Sequence, residues 1–295
     1  MSTAPTSHSS ATIALVVHGQ RPEATALARD VADWLIAQGH QVRVPTPDAG
    51  QAGLEEWACD PDKLSLGVDL AVSVGGDGTM LRTVRLVSAD DVPVLGVNLG
   101  RLGYLAQAEP GELHVALERF LAGDYGIEER LMIEVAVEAP SGALPVGSRV
   151  GLNEVMVEKP SSGRTVSLSV SINGRSFLTY AADGLIVATP TGSTAYSFSA
   201  RGPIISPTLR ALSMTPVSAH MLFDRPMVLG PTETIRIEVI DDRPATLTVD
   251  GEELGVLERG DAIVCRAAPQ TARLVTFGSR DFYRLLKTKF GLTDR

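Results

Sequence analysis

The chain has 295 residues, 44% of them hydrophobic, which is enough for two domains with proper cores and excludes a disordered protein. With 26 Lys+Arg against 35 Asp+Glu, a net charge of -9, it lacks the basic balance with which a general nucleic-acid binder neutralises phosphates. Two cysteines, Cys59 and Cys265, stand in no CxxC spacing, which excludes a disulfide scaffold or zinc module and points to a reducing cytoplasm. No apolar run approaches the ~18 residues of a membrane span.

The polar start, "MSTAPTSHSS", reads as a disordered tail over 1–10 and not as a signal peptide. Strand and helix then alternate. "TIALVVH" (12–18) is an apolar, β-branched strand. A helix follows over 22–39, with Leu27, Val31, Trp34 and Leu35 at helical spacing and Gly39 as its stop. "QVRVP" (41–45) is a strand, and 46–66 reads as a loop with one helical turn. "VDLAVSVGG" is a strand, followed by a helix from Thr79 to about Ser88. "VPVLGVN" (92–98) is a strand, and a helix spans 111–124. Repeated β-α-β implies an α/β domain over 11–126 with a parallel sheet. From 127 to 276 short alternating runs replace the helical period, and "ING" and "VDG" are hairpin turns. This is a mostly antiparallel β domain. Residues 277–295 return to helical spacing through Phe282, Leu285, Leu286 and Phe290, and are expected to pack back on the α/β domain.

The stretch "GGDGT", Gly75 to Thr79, lies at the carboxyl end of a strand, where ligands of parallel sheets sit. Gly75, Gly76 and Gly78 allow a phosphate to approach the backbone, and the opening helix favours an anion. The chain has no Walker A loop, and this segment lacks the third glycine of a dinucleotide fingerprint. Asp77 is the informative residue, because a carboxylate repels phosphates. It belongs there if it binds a metal, accepts a proton from a nucleophile, or caps the helix; the cap is the plainer reading.

Taken in order, "GGDGT", "NLGRLGYL" (98–105), "NE" (153–154) and "DGLIVATPTGSTAYSFSA" (183–200) resemble the NAD kinase family, over about 68–252. The first motif is shared with lipid kinases and phosphofructokinases of the same superfamily; the long last one is much more specific. The resemblance implies a diacylglycerol-kinase/phosphofructokinase-like α/β domain followed by the β domain. It also implies phosphoryl transfer from ATP or polyphosphate to the 2′-hydroxyl of the adenosine ribose of NAD, giving NADP. Asp77 would be the base, Mg²⁺ would neutralise the transferred group, and Gly75, Gly76, Gly78 and Thr79 would form the phosphate-donor loop. Which residues would hold the metal stays open.

Several further residues are expected at NAD on this resemblance. Gly78 would let the dinucleotide lie close, and Arg82 would hold a phosphate, although a solvated helix face explains it as well. Tyr104 matches an aromatic position near the dinucleotide, or is a core tyrosine. Asn153 and Glu154 can read an adenine edge or ribose hydroxyls, or form an Asx turn beside a surface acid. Arg164 matches a contact position or is an exposed loop arginine. Ala181 and Asp183 would touch the dinucleotide, with turn chemistry as the alternative for Asp183. Thr194, Ala195, Tyr196 and Ser199 would line NAD, the hydroxyls by hydrogen bonds and Tyr196 by stacking; an ordinary Ser/Thr loop is the alternative. His220 also falls on a family position, or is a structural histidine, the more usual role of a lone one. Two departures bear on specificity: "SARGP" puts Arg201 where the family has glycine, and "VDGEE" puts Glu252 where an amide is usual. The expected partners are NAD and ATP, with no nucleic acid and no membrane, in a homodimer or homotetramer built through the β domain. A lipid or sugar kinase of the same superfamily and a non-catalytic NAD-binding sensor are the alternatives; a sensor would have lost the acid at 77.

Overall fold

A computed structural model describes residues 10–100, 103–160, 164–278 and 281–292. The tail expected over 1–10 therefore lies, but for Ser10, outside the described residues, as do Arg101 and Leu102 of the "NLGRLGYL" motif. The chain divides into two compact units, one formed by residues up to Glu129 and from Ala272 onward, the other by Arg130–Thr271.

The first unit begins with β1 (Thr12–Val17), α1 (Pro22–Ala37), β2 (Gln41–Pro45) and α2 (Thr46–Ala52). It continues with β3 (Ala58–Cys59), β4 (Leu70–Gly75), α3 (Asp77–Val87), β5 (Val94–Asn98) and α4 (Leu113–Leu121). The strands form a parallel sheet in the order β5-β4-β1-β2-β3. Their near-continuous apolar sequences follow from burial on both faces. Val31 and Leu35 of α1 and Leu113, Leu117 and Phe120 of α4 join Leu15, Val72 and Leu95 in one core. Met80, Val84 and Val87 of α3 are buried as well. The order reverses between β1 and β4, so the GGDGT turn after β4 sits at the crevice where such sheets bind ligands.

Three local expectations need correction. The helix after GGDGT starts at Asp77, not Thr79, because Gly76 already serves as its N-cap. Residues 46–66 contain a full helix, α2; Pro47 suits its first turn and Gly53, at φ 67, ends it. The helix over 111–124 is the shorter α4, preceded by a 3₁₀ turn over Pro110–Glu112.

The chain enters the second unit along β6 (Gly126–Glu138) and continues with β7 (Gly147–Gly151), β8 (Glu154–Glu158), β9 (Val166–Ile172), β10 (Arg175–Ala182) and β11 (Gly184–Ala188). After the short α5 (Tyr196–Ser199) come β12 (Leu212–Val217), β13 (Met227–Leu229), β14 (Ile235–Val239), β15 (Ala245–Val249) and β16 (Glu252–Leu257). The chain returns to the first unit along β17 (Ala262–Thr276), where Leu274 pairs in parallel with Val94 of β5. Within the second unit β10-β9-β14-β17 form an antiparallel sheet, and β13-β12-β11-β8-β15-β16 form another. Alternate residues such as Leu168 and Ile237 from one sheet and Val157 and Leu247 from the other build a shared core. In β8 and β11 the opposite face is covered too, with Met156, Ile186 and Ala188 buried there. That double burial is why "LIVA" reads as an unbroken apolar run.

The last helix, α6 (Phe282–Phe290), belongs to the first unit. Asp281 caps its start by accepting from the Tyr283 and Arg284 N–H groups, and Gly291, at φ 61, ends it. Among the described residues no helix is long and apolar enough to cross a membrane.

Candidate active site

The first group of candidate residues is built on the turn between β4 and α3. Gly76 takes the N-cap position with φ -107, so Asp77 is the first helical residue and its side chain caps nothing. The plainer sequence reading of Asp77, a helix cap, therefore fails on geometry. Its Oδ2 instead accepts the Tyr104 N–H at 3.2 Å, from the segment after β5. Its Oδ1 is buried and has no hydrogen-bond partner. A buried carboxylate oxygen left unpaired is costly unless something else completes it.

The three glycines of the turn have different reasons. A Cβ on Gly75 would lie 2.3 Å from Thr79 Oγ1, so this glycine lets the buried Thr79 pack down on the strand. Cβ atoms on Gly76 and Gly78 would meet no atom within 4 Å, so those positions face open space. Gly75 and Thr79 hold the turn together, whereas Gly76 and Gly78 leave room for a ligand. A fourth glycine, which the sequence reading did not single out, matters more. A Cβ on Gly103 would lie 2.2 Å from Asp77 Oδ1. Gly103 is the space that the catalytic candidate occupies.

Asp77 and Gly76 line a cavity of about 580 Å³ shared with His18, Gly78 and Arg82. They also line a second one of about 330 Å³, shared with Asn98, Gly103 and Lys289. Arg21 lines both and donates from Nη1 to the Leu99 carbonyl at 2.6 Å. Arg82 is not on a bare helix face. Both Nη atoms bond the Asp48 carboxylate (2.7 Å from Nη2 to Oδ2), and Nη2 also donates to the Val17 carbonyl at 2.9 Å. Asp48 is buried and accepts the Val17 N–H at 2.8 Å. Arg82 is thus a clamp between β1, α2 and α3 at the cavity wall. Tyr104 is half-buried, with Lys289 Nζ 4.0 Å from its ring centre. Burial and the Asp77 charge both raise its pKa.

The second unit carries the remaining candidates. Asp250 organises the first group. With Gly251 it makes the turn between β15 and β16, both at positive φ (49 and 78). Its carboxylate accepts the backbone N–H groups of Leu152, Asn153 and Glu154 at 2.7, 2.7 and 3.1 Å. Asn153 and Glu154 are therefore fixed by an acid outside their own motif. Glu154 is no surface acid: it is buried, its Oε2 has no hydrogen-bond partner, and burial with the nearby Asp250 charge pushes its pKa up to about 8. Glu252 is exposed at the start of β16.

Around "TPTGSTAYSFSA" most of the hydroxyls turn inward. Thr189 Oγ1 donates to the Leu152 carbonyl and accepts the Gly192 N–H. Ser193 Oγ donates to the Pro190 carbonyl at 2.7 Å and accepts the Ile205 N–H at 3.0 Å. Ser197 Oγ pairs with Thr215 Oγ1 at 3.1 Å. Thr194 Oγ1 donates to the Thr191 carbonyl at 3.3 Å. A Cβ on Gly192 would collide with the backbone of Asn153, so the loop packs directly on the Asn-Glu segment. Tyr196 and Ser199 are exposed, and Ala195 is half-buried. Thr189, Ser193 and Ser197, none of them among the residues expected at NAD, are buried and hold the loop shut.

Asp183 forms an ion pair with Lys159, Nζ to Oδ1 2.7 Å, which the sequence reading missed. The Tyr196 hydroxyl is raised in pKa by burial and by the charges of Glu158 and Asp183, so these groups form one cluster. Ala181 and His220 are joined by a hydrogen bond from the His220 N–H to the Ala181 carbonyl at 2.8 Å. Arg164 is exposed. Arg201 is exposed too and has φ 66, a conformation that suits glycine better than a residue with a Cβ.

Models of the ATP-NAD kinase N-terminal domain and of the ATP-NAD kinase C-terminal domain match residues 13–125 and 152–277. The chain is 40% identical over 275 residues to the NAD kinase of Syntrophotalea carbinolica, covering 93% of this chain and 96% of that protein. It is 41% identical over 279 residues to the NAD kinase of Heliobacterium modesticaldum, covering 94% and 98%. Among solved structures, yeast NADH kinase complexed with NADH superposes with a TM-score of 0.88 at 24% identity, over 99% of this chain and 96% of that one. An NAD kinase from Archaeoglobus fulgidus in complex with ATP gives 0.70 at 23% identity, over 97% and 100%. At those identities the two structures speak to the fold alone, which is the same two-part architecture.

Proposed function

The chain belongs to the ATP-NAD kinase family and is an enzyme that phosphorylates NAD, and we propose that Asp77 is the base of the reaction. The observation that carries this reading is the buried, unpartnered Oδ1 at the wall of two cavities, with Oδ2 held by the Tyr104 N–H. One oxygen fixes the orientation; the other is left to accept the proton of the 2′-hydroxyl of the adenosine ribose. As that O–H bond breaks, the ribose oxygen bonds the terminal phosphorus of ATP or polyphosphate and the donor's bridging oxygen leaves with its electron pair. A positioned base contributes ~10²–10⁴-fold to such a step. Gly76 and Gly78 leave the backbone approachable for the donor and the dinucleotide.

Mg²⁺ fits here as an ion carried in on the donor, since the one unpartnered oxygen of Asp77, Oδ1, is assigned to the ribose proton. Among the described residues no three His, Cys, Asp or Glu side chains cluster as a protein cage. A magnesium ion held by the donor's own phosphates and water would suit this site. When bound, it supplies positive charge to the group in transfer.

We assign the second-unit residues to NAD recognition. Glu154 and Asn153, fixed by Asp250, would meet ribose or adenine. Asp183, Tyr196, Ala195, Thr194 and Ser199 would meet the rest of the dinucleotide together with Ala181, His220, Arg164 and Glu252. The clustering of Asp183 with Tyr196 and the bonding of Ala181 to His220 support that assignment. A homo-oligomer built through the β unit is favoured by exposed Phe177 and Phe223, which meet edge to face, and by exposed Leu222 and Val228. Free Cys59 and Cys265 suit the cytoplasm.

The test is direct. Purified protein with NAD, ATP and Mg²⁺ yields NADP, and Asp77→Asn binds NAD with little change while kcat falls by ~10²–10⁴-fold. A variant with near-normal kcat removes Asp77 from the base role.

A further inference from the structure

α6 brings a cation to the lining of the cavity that contains Asp77. Leu285 is its buried anchor, and Lys289 lies four residues on, on the same face of the helix. Lys289 Nζ stands over the Tyr104 ring, 4.0 Å from its centre, where the ring's negative face holds a cation. The Tyr104 N–H is the group that orients Asp77. Lys289 also lines the cavity of about 330 Å³ that contains Asp77, Gly76, Gly103 and Arg21. A carboxylate in a cavity meant for a polyanion needs opposing positive charge, or the donor is repelled before it can react. Arg21 supplies part of that charge while its Nη1 is tied to the Leu99 carbonyl. Lys289 supplies an ammonium, held on an aromatic ring in the lining of the cavity that contains Asp77.

We propose that Lys289 is a binding residue for the phosphate chain of the phosphoryl donor, swinging from the Tyr104 ring onto a terminal phosphate when the donor enters. The inference rests on the reading of Asp77 as the site of phosphoryl transfer and goes beyond it by giving the C-terminal helix a role in donor recognition. The ligand chemistry is a triphosphate chain, which ATP and inorganic polyphosphate share. Because Lys289 contacts phosphates only, its loss weakens both sources alike.

The experiment compares the wild type with Lys289→Met, which keeps length and removes charge, and Lys289→Arg, which keeps charge. Calorimetry reads the binding of a non-hydrolysable ATP analogue with Mg²⁺ and, separately, of inorganic tripolyphosphate. Steady-state kinetics reads KM for donor and for NAD. The expected result is a loss of about tenfold or more in affinity for both probes in Lys289→Met, as a charge-assisted hydrogen bond implies. KM for NAD stays within about twofold, and Lys289→Arg recovers most of the binding. Wild-type affinity of Lys289→Met for both probes overturns the proposal. So does a rise in KM for NAD equal to that for the donor, which marks a role in supporting Tyr104 alone, or an arginine variant as impaired as the methionine one, which shows that positive charge is not what binds. Loss of the ATP analogue with tripolyphosphate unaffected also overturns it, because the contact would then be to the nucleoside. If the wild type binds the probes but makes no NADP, the activity reading fails while the binding comparison still decides the role of Lys289.

Discussion

The turn after β4 and the loop after β11 are made of similar residues, glycines with threonine or serine around them, and they do opposite things. In the first, the glycines at 76 and 78 face open space and a carboxylate oxygen is buried without a partner. In the second, Thr189, Ser193 and Ser197 close on backbone or one another, and Gly192 is there because Asn153 leaves no room for a methyl group. One segment keeps its polar capacity for an incoming molecule; the other spends it on its own shape. Small polar residues thus mark close packing as readily as ligand contact. Only the hydrogen-bond inventory separates the two cases.

The sharpest way to break this contrast is at Gly103. Alanine there puts a methyl group where Asp77 Oδ1 now lies, 2.2 Å away, so the carboxylate must turn or the segment after β5 must move. Displacement of a reacting group by about 1 Å costs ~10²-fold. Gly103→Ala is therefore expected to lower kcat by about that factor, with the circular dichroism spectrum and NAD affinity kept. Normal turnover would mean that the orientation of Asp77 is not what the reaction depends on.

Next is the closed loop. Ser193→Ala leaves the buried Ile205 N–H without an acceptor, at a cost of ~1–3 kcal/mol in a urea or thermal unfolding curve. KM for NAD should hold within about twofold. A variant of unchanged stability but raised KM would show that Ser193 faces the dinucleotide after all.

The parallel sheet, the β unit and the position of Asp77 were legible in the sequence because each rests on short-range pattern: period, glycine turns and the order of elements. What escaped it depends on partners far away in the chain. Asp250 reaches segment 152–154 across nearly a hundred residues, Arg82 finds Asp48, and Asp183 finds Lys159. "VDG" announced a hairpin turn without announcing that its aspartate would hold the Asn-Glu pair. Helical spacing placed Leu285 and left Lys289 as one more exposed lysine. Gly103 could have been suspected, since it lies in a quoted motif, but its neighbour Asp77 becomes visible only once the two loops lie side by side.

Glu154 extends the comparison to pH. Like Asp77 it has a buried carboxyl oxygen without a hydrogen-bond partner among the described residues, and its folded-state pKa of about 8 stands above the unfolded value. Below the unfolded carboxyl pKa, both states hold the proton and stability is unaffected. Between about 4.5 and 8 the folded state retains a proton that the unfolded chain has lost, so stability falls as pH rises through this window. The slope from this one group is at most ~1.4 kcal/mol per pH unit. Denaturant midpoints taken across that window should show the decline in the wild type and a flatter profile in Glu154→Gln. Identical profiles would mean that bound water or a moved side chain already satisfies the acid.

The smallest effect is expected at Arg201, where the closed loop ends. Its φ of 66 carries a strain of ~1–2 kcal/mol for a residue with a Cβ, and glycine would relieve it. Glycine also loosens the unfolded chain, which takes back ~0.4–1 kcal/mol. The net gain in Arg201→Gly should be about 0.5 kcal/mol, a rise in Tm of ~1–2 °C. If the loop only shapes itself, KM for NAD and for ATP stays put while Tm climbs. If the guanidinium reaches a phosphate or an acid of the ligand site, one KM rises several-fold whatever happens to Tm. The two readouts move independently, so a single variant decides whether Arg201 is a strained backbone position or a ligand contact, and hence whether the loop is closed along its whole length.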